Sequence, residues 1–274
     1  SNFADITKIL NDIFFMKKTV VTILAALLAL NVSADNAARE ERNIDFGWKF
    51  HAGDISGAAS VTLDDADWRT VDLPHDFQIE QPWVAPDKNE KANNSDMASN
   101  VRSRLSARGF KEMGIGWYRY TFTPGEEMKN RRVLVDFEGI MLVGDVYLNG
   151  ERIGGTDYGY VGFDIDITHQ LKYGQKNVIA VKADTRNPDN SRWYTGGGLF
   201  RDVHLVLTDP QLYFTRNPLE ITTPKADNQS ATVKIQAEMA FYLDKNQSLD
   251  VNTKIIDTAG RTVADHTTKV SFNR

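Results

Sequence analysis

The sequence predicts an all-β chain built as a sandwich or barrel, and three observations predict it. Apolar residues recur at every second position from Ile44 onward, the period of a half-buried strand. No segment after residue 35 keeps a helical period. Asn149-Gly150 sits between Val146-Tyr147-Leu148 and Glu151-Arg152-Ile153. Both positions of a tight hairpin turn need positive φ, which Asn and Gly tolerate. Short strands with no helices between them exclude a βαβ architecture.

The strands follow in order. Ile44, Phe46, Trp48 and Phe50 share one face of a first strand. Tyr118, Tyr120 and Phe122 alternate with Trp117, Arg119 and Thr121; Val133, Val135 and Phe137 alternate with Leu134, Asp136 and Glu138. Val146 and Leu148 lead into the Asn-Gly hairpin. Phe163, Ile165 and Ile167 alternate with Asp164 and Asp166. Val178 to Val181 is a continuous apolar run, suited to a strand buried on both faces. Val203, Leu205 and Leu207 close the series. Gln81 to Gly116 is long and polar, and reads as a mobile surface loop with room for a short helix. A boundary falls at Asp209-Pro210. Beyond it Ala231, Val233, Ile235, Ala237 and Met239 face one way, Leu249 to Ile256 forms another strand, and Thr258-Ala259-Gly260-Arg261 turns back through Val263. Residues 211–274 are too few for a complete immunoglobulin-like sandwich, which takes about 100 residues and seven strands.

The chain has 274 residues, 41% hydrophobic and 25% charged, an ordinary globular composition for one or two domains. A net charge of −5 argues against a nucleic-acid partner. With no cysteine, disulfides, zinc–thiolate sites and a cysteine nucleophile are excluded. Five tryptophans leave room for aromatic stacking on a small ligand.

The first 34 residues read as lying outside the fold. Met16-Lys17-Lys18 precedes an apolar run from Thr19 to Leu30, and Val32-Ser33-Ala34 fits a small-x-small cleavage site. That is the pattern of a secretory signal peptide, and the apolar run is shorter than the about 20 residues that span a bilayer. Residues 1–15 read as a tag or upstream translation. The expected organisation is 1–34 leader, 35–210 first sandwich, 211–274 second, with a periplasmic or secreted location and no membrane span.

Three stretches carry a family resemblance: Trp68-Arg69-Thr70-Val71-Asp72-Leu73-Pro74-His75-Asp76, Gly116-Trp117-Tyr118-Arg119-Tyr120-Thr121-Phe122, and Ser191-Arg192-Trp193-Tyr194-Thr195-Gly196-Gly197-Gly198-Leu199-Phe200-Arg201-Asp202-Val203. With Phe137-Glu138-Gly139 and Val146 to Gly150 between them, they resemble the N-terminal sugar-binding domain of family 2 glycoside hydrolases, which include β-galactosidases, β-glucuronidases and β-mannosidases. The resemblance covers about Asn43 to Pro210, and more weakly the remainder. It implies a jelly-roll, galactose-binding-like β-sandwich followed by the start of an immunoglobulin-like sandwich. In that family catalysis belongs to a following (β/α)₈ barrel, whose two glutamates perform retaining hydrolysis. This sequence contains neither, so the resemblance places no catalytic residue in it. It implies a β-linked sugar as substrate, the missing barrel of the same polypeptide as partner, and no cofactor or metal.

Carboxylates within the chain offer no obvious replacement. Asp164 and Asp166 lie on one strand face and read as solvated. Asp64, Asp65 and Asp67 resemble a calcium cluster, but read better as an exposed turn entering the Trp68 strand. His75 and Asp76 lack an accompanying Gly-x-Ser-x-Gly elbow and read as a turn network. Arg192, Trp193 and Tyr194 are the substrate-binding candidates. Aromatic faces stack on sugar C–H faces, Arg donates to hydroxyls, and Gly196-Gly197-Gly198 allows a tight turn beside them.

The leading reading is thus the non-catalytic N-terminal portion of an exported β-glycosidase of β-galactosidase type. A stand-alone carbohydrate-binding module and a structural cell-surface sandwich are the alternatives. The leader generates a first prediction: protein recovered from its natural host should begin at or near Asp35 by mass spectrometry. Retention of Met16 to Ala34 would defeat the export reading.

Overall fold

The computed structural model describes residues 14–17 (backbone), 39–85, 109–186, 194–242 and 245–272. The strands are β1 (Phe14–Lys17), β2 (Glu40–Asn43), β3 (Trp48–Ala52), β4 (Arg69–Val71), β5 (Ile115–Phe122), β6 (Arg132–Phe137), β7 (Val143–Leu148), β8 (Glu151–Thr156), β9 (Phe163–Asp166), β10 (Asn177–Asp184), β11 (Val203–Thr208), β12 (Leu212–Ala226), β13 (Ser230–Phe241), β14 (Gln247–Ile256) and β15 (Thr262–Phe272). Only two short 3₁₀ turns, Phe77–Glu80 and Glu126–Met128, interrupt the β structure among the described residues. The fold is all-β, as the alternation predicts. No helix among the described residues is long and apolar enough to cross a membrane.

The chain divides into two compact units, residues 40–207 and residues 208–274 with the N-terminal segment. The first is a two-sheet sandwich. One sheet has the order β4-β3-β5-β10-β7-β8, antiparallel throughout, and the other β2-β11-β6-β9, in which β2 with β11 and β6 with β9 are antiparallel. Trp48, Phe50, Tyr118, Val146, Leu148, Ile179 and Val181 from the larger sheet meet Val133, Val135, Phe137, Val203, Leu205 and Leu207 from the smaller in one buried cluster. Each fully buried side chain of this kind contributes about 1.5–3 kcal/mol.

The opening of this sandwich departs from the expected single strand. Ile44, Trp48 and Phe50 are buried, but Phe46 is 70% exposed. The chain changes sheets here, from β2 beside β11 to β3 beside β5, so strict alternation cannot run through. Asp45 holds the crossing. Its carboxylate accepts the Val203 N–H at 2.8 Å, and its carbonyl accepts the Leu73 N–H at 2.8 Å.

The Asn149-Gly150 turn joins β7 to β8 with φ of 53° and 95°, as the dipeptide predicts. The Val178–Val181 run is buried on both faces. Ile179 and Val181 point into the main core, while Val178 and Ala180 belong to a second cluster with Trp117, Ile115, Trp68 and Ala58. That cluster exists because residues 53–68 cover the outer face of the larger sheet.

Arg119, on the strand face opposite Tyr118 and Tyr120, is the pin of this cover. Its side chain has no exposed surface. Its Nε donates to Asp65 Oδ2 at 2.7 Å, and Nη1 donates to the Ala58 carbonyl and to that of Ser60, the latter at 2.9 Å. The Asp64–Asp67 stretch is thereby explained. Asp65 neutralises a buried guanidinium, and Asp64 accepts the Ala66 N–H within its own turn.

The base of the 81–116 segment closes as a short antiparallel bridge at Trp83 and Lys111; residues 86–108, where a short helix could fall, lie outside the described residues. In the second unit β12 pairs with β13 and β14 with β15, over a small cluster of Leu212, Val251, Val270 and Phe272. The β14–β15 turn is closed by Asp257, which accepts the Ala259 and Arg261 N–H groups, with Gly260 at φ 79°. Phe14–Lys17, inside the expected leader, pairs as β1 with Ser230–Val233 of β13.

The buried guanidinium generates a second prediction. Asp65→Ala should destabilise the first unit by about 3 kcal/mol, because it strands a buried charge. Asp67→Ala, at an exposed position, should fall within about 0.5 kcal/mol. Urea denaturation of the purified chain checks both, and equal costs would contradict the role given to Arg119.

Candidate functional site

One end of the first sandwich gathers the polar and aromatic groups. It is the end where β5 and β7 start and β8 and β10 finish, as the pairings Asp184↔Ile115, Asp184↔Val143 and Gly144↔Thr156 require. Three loop segments are laced together there. The N–H of His75 donates to the Leu199 carbonyl at 2.7 Å, and that of Phe77 to Gly197 at 2.9 Å. Met141 and Gly198 exchange backbone hydrogen bonds at 2.9 and 2.6 Å. The glycine run of the third sequence stretch is therefore a seam between residues 75–77 and 139–141. At Gly198 (φ 111°) a Cβ would stand 2.1 Å from the Tyr118 hydroxyl, so no side chain fits.

Asp76 ties the seam down. Its carboxylate caps the Phe77–Glu80 turn by accepting the Gln78 N–H at 3.0 Å, and it also accepts the Gly197 N–H at 2.8 Å. Oδ2 accepts the Tyr194 hydroxyl at 2.8 Å. Partial burial, then this negative neighbour, raise the Tyr194 pKa well above that of an ordinary phenol. Tyr194 thus stays a neutral donor with its ring 37% exposed.

His75 joins a second set of groups. Its Nε2 lies 3.0 Å from Arg69 Nη2 and 3.3 Å from Glu80 Oε1, and its Nδ1 lies 2.8 Å from the Tyr118 hydroxyl. Nε2 thus faces a donor in Arg69 and an acceptor in Glu80, and the tautomer decides which of the two it bonds. Arg69 also donates to Glu80 Oε2. Burial lowers the His75 pKa, outweighing the opposite pull of Glu80. Burial alone would raise Glu80, but Arg69 and His75 together hold it below the usual range. Complete burial pushes the Tyr118 phenol up.

Beyond the seam lies an aromatic ledge. Tyr158 and Tyr160 sit with ring centroids 5.6 Å apart, and Tyr160 meets the edge of Phe200 at 6.5 Å.

Of the residues expected to contact substrate, Tyr194 stands at this end on Asp76, while Arg192 and Trp193 lie outside the described residues. His75 and Asp76 do organise turns. Asp164 is exposed, as expected of a solvated face, but Asp166 is tied to Arg132 and to Thr168. No group of three or more His, Asp or Glu able to hold a metal occurs among the described residues. The carboxyls of Glu40, Asp54, Glu80, Asp184, Asp227 and Asp257 are displaced downward. A glycosidic general acid needs the opposite displacement. Sequence reasoning missed the linking of Arg69, Glu80 and Tyr118. A tyrosine on the core face of a strand was the available signal, because its hydroxyl must find a partner. The ledge was missed too, although Tyr158-Gly159-Tyr160 stands out beside a strand start.

Residues 115–216 match the model of the glycosyl hydrolase 2 galactose-binding domain-like family. The chain carries the galactose-binding-like domain of glycoside hydrolase family 2. A β-galactosidase of Bacteroides ovatus is 32% identical over 227 residues, which cover 83% of this chain and 25% of that protein. A putative β-glucuronidase of Formosa agariphila is 30% identical over 259 residues, covering 93% and 23%. A solved glycosyl hydrolase family 2 member from Bacteroides cellulosilyticus superposes with a TM-score of 0.70 at 32% identity, covering 85% of this chain and 29% of that one. The chain thus spans about a quarter of the length of these curated relatives. It resembles their N-terminal region; Tyr194 lies within the matched residues 115–216, and His75 and Asp76 lie before them.

The depressed pKa of His75 generates a third prediction. The unfolded chain takes up a proton near pH 6.5, whereas the folded chain resists it. Stability should therefore be complete above that value and fall as the pH drops toward the lower folded value. His75→Gln should flatten this slope in urea unfolding between pH 7.5 and 5.5; an unchanged slope would remove His75 as its source.

Proposed function

We propose that this chain is the N-terminal, non-catalytic part of an exported β-glycosidase of β-galactosidase type. The carrying observation is the galactose-binding-like sandwich, aligned over most of the chain with enzymes about four times its length. The β-galactosidase of B. ovatus supports the choice of a β-galactoside. In this reading the chain scaffolds a catalytic barrel elsewhere in the polypeptide. The Tyr194 end walls one side of the substrate pocket.

The chemistry supports an accessory role. Hydrolysis with retention needs a protonated acid and an ionised nucleophile about 5–5.5 Å apart. Asp76 is committed to two backbone N–H groups and a phenol, and Glu80 to Arg69 and His75. Both are held for structure and neither is positioned as an acid. Export rests on Lys17-Lys18, the apolar run and Ala34; cleavage after Ala34 would remove β1 and free the Ser230–Val233 edge of β13.

Two assays test the proposal. The natural protein purified from its host should hydrolyse an aryl β-galactoside faster than an aryl β-glucuronide. The 274-residue chain should hydrolyse neither. A reversed preference would move the substrate class to β-glucuronides. Turnover by the chain alone, lost in an Asp164→Asn, Asp166→Asn double variant, would overturn the accessory role.

A further inference from the structure

We propose that the ledge of Tyr158, Tyr160 and Phe200, with Arg201 at its rim, is a binding platform for a single β-linked hexopyranose. The choice of a pyranoside rests on the glycosidase reading above, but the platform is argued from its own geometry.

Exposure is the first observation. Tyr158 is 59% exposed, Val161 56% and Tyr160 39%, in a unit whose other aromatic rings are mostly buried in two clusters. Neighbouring exposed apolar side chains of this kind mark a contact surface. The ring spacings of 5.6 and 6.5 Å, with interplanar angles of 56° and 80°, make a run of mutually tilted rings from Tyr158 through Tyr160 to Phe200.

The rigidity of its base is the second. The Tyr158-Gly159-Tyr160 turn lies against the chain at 139–141 with no space between. A Cβ on Gly159 would meet Met141 Sδ at 2.6 Å and the Ile140 carbonyl at 2.9 Å. One on Gly139 would meet the Gly159 carbonyl at 2.7 Å and the Phe200 ring at 2.9 Å. Thr156 closes the turn from the other side, its hydroxyl accepting the Tyr158 N–H at 3.1 Å and donating to the Tyr158 carbonyl at 3.0 Å. The turn that carries the rings is thus held in place before any ligand arrives, and tyrosine loses few rotamers on binding.

The third observation is the mixture of groups. A pyranose presents an apolar C–H face and a rim of hydroxyls. The ledge offers ring faces with phenol hydroxyls at their edges. Arg201 lies over the Phe200 ring at 5.1 Å and gives one N–H to the Glu138 carbonyl at 3.4 Å. A guanidinium has five N–H donors, which suits hydroxyls at the rim. An exposed, open ledge of this kind binds weakly, with a Kd of about millimolar order.

Saturation-transfer difference NMR on the purified chain tests the proposal, with methyl β-galactoside and methyl β-glucuronide as probes. The parent should saturate the pyranose C–H protons of at least one probe. Tyr158→Ala and Tyr160→Ala should each weaken binding by about fivefold or more. Tyr158→Phe should retain it, since the ring remains. Trp83→Ala, an exposed aromatic elsewhere, should change nothing. Circular dichroism melts identify any variant that has unfolded, and Tyr158→Ala, at the most exposed ring of the three, is the variant expected to stay folded. No saturation of either probe, or equal binding by parent and Tyr158→Ala, would overturn the platform. The two readings fail separately. Inactivity of the natural protein on aryl glycosides removes the glycosidase assignment, whereas loss of binding in the isolated chain removes only the ledge.

Discussion

The first unit depends on one constraint: β5 and β10 run through the middle of a six-stranded sheet and must be dry on both faces. A sheet with one solvated face needs only one core. Here Trp117, Val178 and Ala180 point away from the main core, and a second apolar cluster must cover them. The segment 53–68 does this without regular strand pairing of its own. Its own turns pair part of its backbone, and Arg119 supplies partners from outside for two of its carbonyls. One guanidinium reaches two carbonyls and a carboxylate of that segment, so a buried charge becomes the means of fastening an irregular layer.

The same logic recurs at the sheet crossing. A chain that leaves one sheet for the other gives up ladder hydrogen bonds for several residues. Asp45 restores them by accepting from Val203, the first residue of β11, and by offering its carbonyl to Leu73. Asp45 and the Asp65–Arg119 pair thus act where regular pairing fails, whereas Arg132 and Asp136 are buried within the regular strand β6.

The end of the sandwich differs in kind. Its backbone seam is as well paired as a sheet, yet the side chains it carries point partly outward. Tyr194 keeps its hydroxyl on Asp76 while showing its ring. The Tyr158–Tyr160 ledge shows its rings while its turn is locked to 139–141. A rigid scaffold with presented aromatic faces is an arrangement suited to recognition. The carboxylates beneath are spent on holding that scaffold.

Sequence alone marked β5, β6, β7, β9, β10, β11 and β13, the Asn149-Gly150 turn and the double burial of β10, because period-two patterning and positive φ are local properties; it did not mark β2 or β12. It also determined the family, through short motifs spread along the chain. It could not place Phe46 outside, since alternation says nothing about where a chain changes sheets. It could not show Arg119 buried, because a charged residue on an alternating strand reads as solvent-facing until a covering segment is known. The partners Asp65 and Arg119, or Asp76 and Tyr194, stand 54 and 118 residues apart. Only tertiary packing brings such groups together, and it is packing that decides which carboxylates are solvated, which are tied, and which rings remain exposed.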